Sequence, residues 1–322
     1  MLRRTLYLII LVSVVISCKN ESNKLFTELS PGQTGIRFKN LVEETEEFNV
    51  LTYGYFHQGG GVAIGDVNND SLPDIYFTGN MVASRLYINK GNWKFEEVAE
   101  KAGVRAEGLW NTGTTMADVN GDGWLDIYVC RSAANIPDRR RNLLFINNGD
   151  LTFTESALKY GLDDPGYSTQ ASFFDYDGDG DLDMFSLNHS TQEFAGFSRV
   201  SGEFKQRRNS VLGSKLFRND GDRFTDVTEE AGIINNVLGF GLGVTITDAN
   251  GDNRPDIYIS NDYNEEDYFY LNQGDGTFRE ALREYFGHVS FFSMGADAAD
   301  LNNDLRPDIV TLDMLPEESY NQ

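Results

Sequence analysis

Five nine-residue segments carry oxygen-bearing side chains at alternate positions, an arrangement suited to holding a hard cation. Positions 1, 5 and 9 are always Asp and position 3 is Asn or Asp. The sets are Asp66, Asn68, Asp70, Asp74; Asp118, Asn120, Asp122, Asp126; Asp175, Asp177, Asp179, Asp183; Asp248, Asn250, Asp252, Asp256; and Asp300, Asn302, Asp304, Asp308. On a tight turn such oxygens converge on one point, which suits an ion that accepts about six to eight oxygens at about 2.3–2.6 Å. Calcium, up to five ions in a structural role, is the expected cofactor. A metal-free Asp/Asn/Gly turn accounts for one copy easily. Five copies of crowded carboxylates would repel without a cation. These are not EF-hands, which need a bidentate Glu at position 12, where this chain has Phe77, Val129, Ser186, Ile259 and Thr311.

Position 4 is Gly or Asn in every copy (Asn69, Gly121, Gly178, Gly251, Asn303), as a left-handed bend prefers. At position 6, Gly123, Gly180 and Asn253 fit the same bend, whereas Ser71 and Leu305 do not, so loops one and five are expected to bind more weakly.

The elements around the loops repeat with them. Loop starts are 52, 57, 73 and 52 residues apart, a period of arrays and propellers. A strand of small residues precedes each loop, as in Gly61–Gly65 and Gly113–Ala117. A second strand follows directly, as in Asp74-Ile-Tyr-Phe and Asp126-Ile-Tyr-Val. A third ends in Asn (Asn89, Asn147, Asn219, Asn272), and a fourth opens with Phe (Phe95, Phe153, Phe224) and leads to a small pair such as Ala102-Gly103. Four short strands per unit read as a propeller blade, so the fold class is all-β, a β-propeller of four-stranded blades.

Gly-x-Ala-x-x-Asp, the Asp-rich loop, Leu-Tyr-x-Asn and Phe-x-Asp/Glu-x-x-x-x-Ala-Gly together resemble the FG-GAP/VCBS repeats of integrin-alpha-type β-propellers, especially those of bacterial lipoproteins. The resemblance spans residues 25–322. It implies that each calcium loop joins the first two strands of a blade on one face and that ligands are met on the other. Blades are expected at about 41–104, 105–162, 163–233, 234–287 and, in part, 288–322. Four full blades and part of a fifth, against the seven usual in the family, suggest a piece of a longer protein. Leu25–Leu29 with Thr34-Gly35-Ile36 reads as a fourth-strand tail that completes the last blade.

The first residues have another purpose. Met1-Leu-Arg3-Arg4 and the largely apolar run Thr5–Ser17 have the layout of a secretory signal, residues 1–17, and a thirteen-residue run is too short to span a bilayer. Val15-Ile16-Ser17-Cys18 resembles a lipobox, which implies a lipidated Cys18 on a tether over residues 18–24 and attachment to a bacterial, outer-membrane or cell-surface, location. Cys130 is the other cysteine, so no disulfide is expected. The formal charge is −23, with seventeen of the 50 acidic residues in the five loops. Even with five divalent ions bound, this acidity argues against nucleic acid or an anionic membrane as partner of the body.

The loops expected opposite the calcium face vary most, and variable loops on a rigid scaffold tend to carry function. They hold basic clusters, Arg139, Arg140, Arg141 and Lys205 with Arg207 and Arg208, suited to an acidic polymer if they are not merely solvating charges. Trp110, Tyr167, Phe240 and Phe292 each lie eight residues before a loop. They are candidate sugar-stacking platforms, with inter-blade packing as the competing role. His57, His189 and His288 share no catalytic motif. The expectation is a non-enzymatic, calcium-stabilised module that binds a protein or glycan. A propeller-type polysaccharide lyase or hydrolase, or a purely structural propeller, is the alternative.

Overall fold

The computed structural model describes residues 25–133, 135–191, 205, 207–263, 265–290 and 292–314. The expected signal peptide, Cys18 and the tether lie outside them. Among the described residues eighteen strands form five antiparallel sheets. The first is β1 (Val62–Gly65), β2 (Asp74–Phe77), β3 (Arg85–Asn89) and β4 (Phe95–Glu97), hydrogen-bonded in that order. The second is β5 (Asn111–Ala117), β6 (Asp126–Arg131), β7 (Leu143–Asn147) and β8 (Phe153–Glu155). The third is β9 (Ser168–Phe174), β10 (Asp183–Asn188), β11 (Lys215–Asn219) and β12 (Phe224–Asp226). The fourth is β13 (Gly241–Thr247), β14 (Asp256–Asn261), β15 (Tyr268–Asn272) and β16 (Phe278–Glu280). Two strands, β17 (Ser293–Ala299) and β18 (Asp308–Asp313), make the fifth.

Every Asp-rich segment closes the hairpin between the first two strands of its sheet. Its ninth residue pairs with the residue just before its first, as in Gly65 with Asp74 and Ala117 with Asp126. Beyond that pair the second strands of the first four sheets are mostly apolar on both faces, because alternate side chains enter two different cores. Ile127 and Val129 pack toward the first sheet with Tyr76, Leu86 and Ile88. Tyr128 and Cys130 pack toward the third, with Ala171, Met184 and Phe217. The next interface repeats the scheme with Phe185 and Leu187 against Ile257, Ile259 and Tyr270. Burial drives the Cys130 thiol well above its usual pKa, which fits an inert small hydrophobe.

The first strands line up side by side in the order β1, β5, β9, β13, β17. Small residues let them approach. Thr112 donates through its hydroxyl to the Ser168 carbonyl at 2.7 Å, and Thr169 to the Gly241 carbonyl at 2.8 Å. A Cβ on Gly113 would lie 2.4 Å from the Thr169 carbonyl oxygen, so the position admits glycine only.

The Asn that ends the third strand links consecutive sheets from the second sheet to the fourth. Asn147 donates to the Val67 carbonyl of the preceding loop at 2.8 Å, Asn219 to Val119 at 3.2 Å and Asn272 to Tyr176 at 2.7 Å. The recipient is the second residue of the loop in every case.

Residues 25–29 do not form the expected strand, and Leu25 and Phe26 are exposed. Pro31–Thr34 is one helical turn with a Ser30/Gln33 capping box, followed by left-handed Gly35. Ala99–Ala102 with Gly103 has the same shape after β4. Gly35 abuts the Phe95 carbonyl as Gly232 abuts that of Phe278. Two residues on, the Arg37 amide donates to the Tyr87 hydroxyl (3.2 Å), as the Ile234 amide does to Tyr270 (3.1 Å). The N-terminal segment therefore packs on the first sheet as a blade tail packs on its successor.

Candidate functional site

Two places concentrate chemistry, at opposite ends of the strands. In the Asp-rich loops, the first Asp gathers the turn. In the first loop Asp66 accepts amide hydrogens from Asp70 (3.1 Å) and Ser71 (2.6 Å). In the fifth, Asp300 accepts from Asp304 (3.1 Å) and Leu305 (2.9 Å). Positions 4 and 6 are left-handed in all five loops, including Ser71 (φ 67°) and Leu305 (φ 66°), where glycine was expected to be needed. Those two residues accept a backbone cost of roughly 1 kcal/mol rather than alter the loop.

The ninth Asp is wholly buried in four loops and fixed by two amides. Asp183 accepts from Tyr176 (3.0 Å) and Asn219 (2.8 Å), and Asp126 from Val119 (3.1 Å) and Asn147 (2.8 Å). Burial pushes the carboxyls of Asp126 and Asp183 up to about 7, and those of Asp74 and Asp256 upward as well. The amide donors oppose this rise, and the neighbouring loop carboxylates add to it. In the third loop, carboxylate oxygens of Asp175, Asp177 and Asp183 all lie within 4.8 Å of one another. One buried and two more accessible acids, held together by fixed donors, form a donor set that fits a hard cation.

At the other end, residues 42–60 fold across the strand ends. Tyr53 and Phe56 bury themselves against Phe48 and Trp110, with centroids of Phe48 and Trp110 5.0 Å apart. Beside this plug lies a pocket of about 430 Å³ walled by Tyr53, Tyr55, Tyr167, His189, Phe240 and Tyr263. The sequence pattern thus located two of its wall residues, Tyr167 and Phe240. Trp110 sits beneath the plug, and Phe292, just before β17, does not line the pocket. Tyr53, Tyr55 and Tyr263 escaped notice because no repeat position marks them.

His189 is buried beside the pocket. Its Nδ1 is 2.8 Å from the Ser190 carbonyl, which can only accept, so Nδ1 carries the proton. Nε2 therefore accepts from the Ser132 hydroxyl at 2.8 Å, and Ser132 accepts from Tyr53 at 3.2 Å. Burial lowers the imidazole to about 4, so it is neutral. The Ser132–His189 pair has the spacing of a nucleophile and base, but Ser132 is fully enclosed. Its role here is to join the plug to the third sheet.

The basic residues are largely engaged by the protein itself. Arg140 is buried, stacks on Tyr167 at 4.0 Å and donates to the Pro165 carbonyl. Arg141 pairs with Asp138 and Asp163, Lys205 with the buried Glu265, and Arg208 with Glu229. Arg139 and Arg207 are exposed, and neither lines the pocket.

A family model described as FG-GAP-like repeat matches residues 66–129, 133–186 and 248–311. Cartilage acidic protein 1 of Mus musculus is 27% identical over 203 residues, and that of Homo sapiens 26% over 203 residues. These matches cover 63% of this chain and 28% of the relatives, so the chain spans under a third of their length. Among solved structures, a lectin of Agrocybe aegerita that recognises non-reducing terminal N-acetylglucosamine aligns with a TM-score of 0.41 at 20% identity, covering 77% of this chain and 59% of that one. The Vibrio cholerae biofilm matrix protein Bap1 aligns with a TM-score of 0.38 at 14% identity, covering 78% and 34%.

Proposed function

The chain belongs to the FG-GAP-like repeat family, and from that premise we propose that it is a calcium-stabilised β-propeller that binds a protein or glycan partner. The binding face is the one opposite the Asp-rich loops. The observation that carries this reading is the open aromatic pocket on a face where rigid strands end and connections differ in every sheet. Calcium is assigned to the loops, with the first, third, fifth and ninth side chains as ligands. The bound ion neutralises the buried acids and holds each hairpin. The likeness to cartilage acidic protein 1 fits an acidic module of this kind.

Binding without turnover is expected. Soluble protein incubated with neutral and uronate polysaccharides in calcium should retain them on a pull-down while releasing no new reducing ends or unsaturated uronates. Release of either product would replace this reading with the lyase or hydrolase one.

Export and anchoring through Cys18 form part of the proposal, supported by the signal-like residues 1–17. In a bacterial host, Cys18→Ser is expected to move the protein from the membrane fraction to the soluble fraction. An unchanged membrane fraction would remove Cys18 as the anchor.

A further inference from the structure

We propose that the aromatic pocket takes an uncharged sugar ring, an inference that rests on the preceding reading of this face as the binding face. A sugar ring has an apolar C–H face and a rim of hydroxyls, and its site must offer both aromatic faces and hydrogen-bonding edges. The pocket offers the first through Tyr53, Tyr55, Tyr167, Phe240 and Tyr263. Thr52, Asn135, Ser190 and Thr191, on the same wall, offer the second. Among the described residues that line it there is no Lys, Arg, Asp or Glu.

Charge selects against acidic sugars. Arg140, beside the wall residue Tyr167, is buried and turned to the Pro165 carbonyl and the ring of Tyr167. Next in the chain to the wall residue Tyr263, the buried Asp262 accepts that residue's amide hydrogen at 2.9 Å. Its carboxyl is raised only to about 6, which leaves it anionic at neutral pH. A uronate in the pocket would face the Asp262 carboxyl, and among the described lining residues there is no Lys or Arg to pair with it.

The backbone supports a binding role for one wall residue. Tyr263 has φ 62°, a left-handed conformation that is strained for a bulky side chain and that Trp93, Leu151 and Leu305 also adopt, and the residue stays 37% exposed. It stands edge-on to Phe240 with centroids 5.3 Å apart. What sets Tyr263 apart is that this conformation holds a part-exposed ring on the pocket wall, where glycine would take the same turn without strain but supply no ring.

The test is the full chain in calcium on an array of neutral oligosaccharides of glucose, galactose, mannose and N-acetylglucosamine, with polygalacturonate and heparin alongside. Binding to at least one neutral series is expected, competed by its free methyl glycoside. Tyr263→Gly should weaken that binding at least about tenfold while the melting temperature holds or rises. Tyr55→Ala should weaken it similarly. Neutral-glycan binding that survives both substitutions would overturn the assignment to this pocket. Binding confined to polygalacturonate or heparin would overturn the inference and leave the binding-module reading standing. Failure to bind any glycan would also overturn it, and capture on a panel of matrix proteins would then decide the broader reading separately.

Discussion

In a chelator the folded chain is expected to melt at least about 10 °C below its midpoint in millimolar calcium. An ion present at about a hundred times its dissociation constant contributes about 2.7 kcal/mol. Occupancy of three loops would give roughly 8 kcal/mol, and a domain of this size shifts by about 2–4 °C per kcal/mol. The dependence on pH should change sign with the ion. Without calcium, Asp126 and Asp183 have folded-state values of about 7 against about 3.9 in the unfolded chain. Folding then favours their protonated forms. That contribution is complete below about pH 4 and is lost as the pH rises through about 7. With calcium the ionised carboxylates are the bound form, so stability should rise over the same interval. Thermal melts across pH 4–8 in the two buffers check both statements. Coincident curves would mean that the loops are metal-free turns.

Asp183→Ala is expected to destabilise the protein by about 2–6 kcal/mol whether or not calcium is present. The side chain is wholly buried and accepts from the Tyr176 and Asn219 amides, so its loss leaves two enclosed N–H groups without partners. Each such group costs about 1–3 kcal/mol. Asp179, in the same loop, is exposed and accepts only the nearby Asp181 amide. Asp179→Ala should therefore weaken the protein in calcium and fall within about 0.5 kcal/mol of the parent in chelator. The pair separates the two roles of the loop acids, as ligands and as backbone anchors. Denaturant titrations of both variants in both buffers provide the measurement. Equal behaviour of the two would show that the ninth Asp acts through the metal alone.

The blade pattern was legible in the chain because its determinants are local. Nine residues specify the hairpin, the ninth starts the second strand, and the apolar run after it marks a strand enclosed on both faces. The terminal Asn was legible as a repeat cue but not as a cross-sheet link, since its bond to Val67 joins residues 80 positions apart. The pocket was legible only in part. Tyr167 and Phe240 occur at a repeat position, whereas Tyr53 reaches Ser132 and His189 across 79 and 136 positions without any periodicity. Trp110 shares the spacing of the pocket residues, yet the plug from residues 42–60 covers it. Nothing in a window around Trp110 records that approach. The basic residues stood out by composition, but their acidic partners come from distant segments such as Asp163 and Glu265.

The Asn link couples each loop to the sheet that follows it. The second peptide of a loop is shared, its N–H held by that loop's ninth Asp and its carbonyl by the Asn of the following sheet. If a cation holds a loop, its loss should loosen that loop's grip on the sheet that follows, and by reciprocity a loosened sheet should weaken the loop before it. Energetically the sites then behave as nearest neighbours in a one-dimensional array. Filling one loop lowers the free energy needed to order the next, so calcium uptake should be cooperative, with an isotherm steeper than independent sites would give.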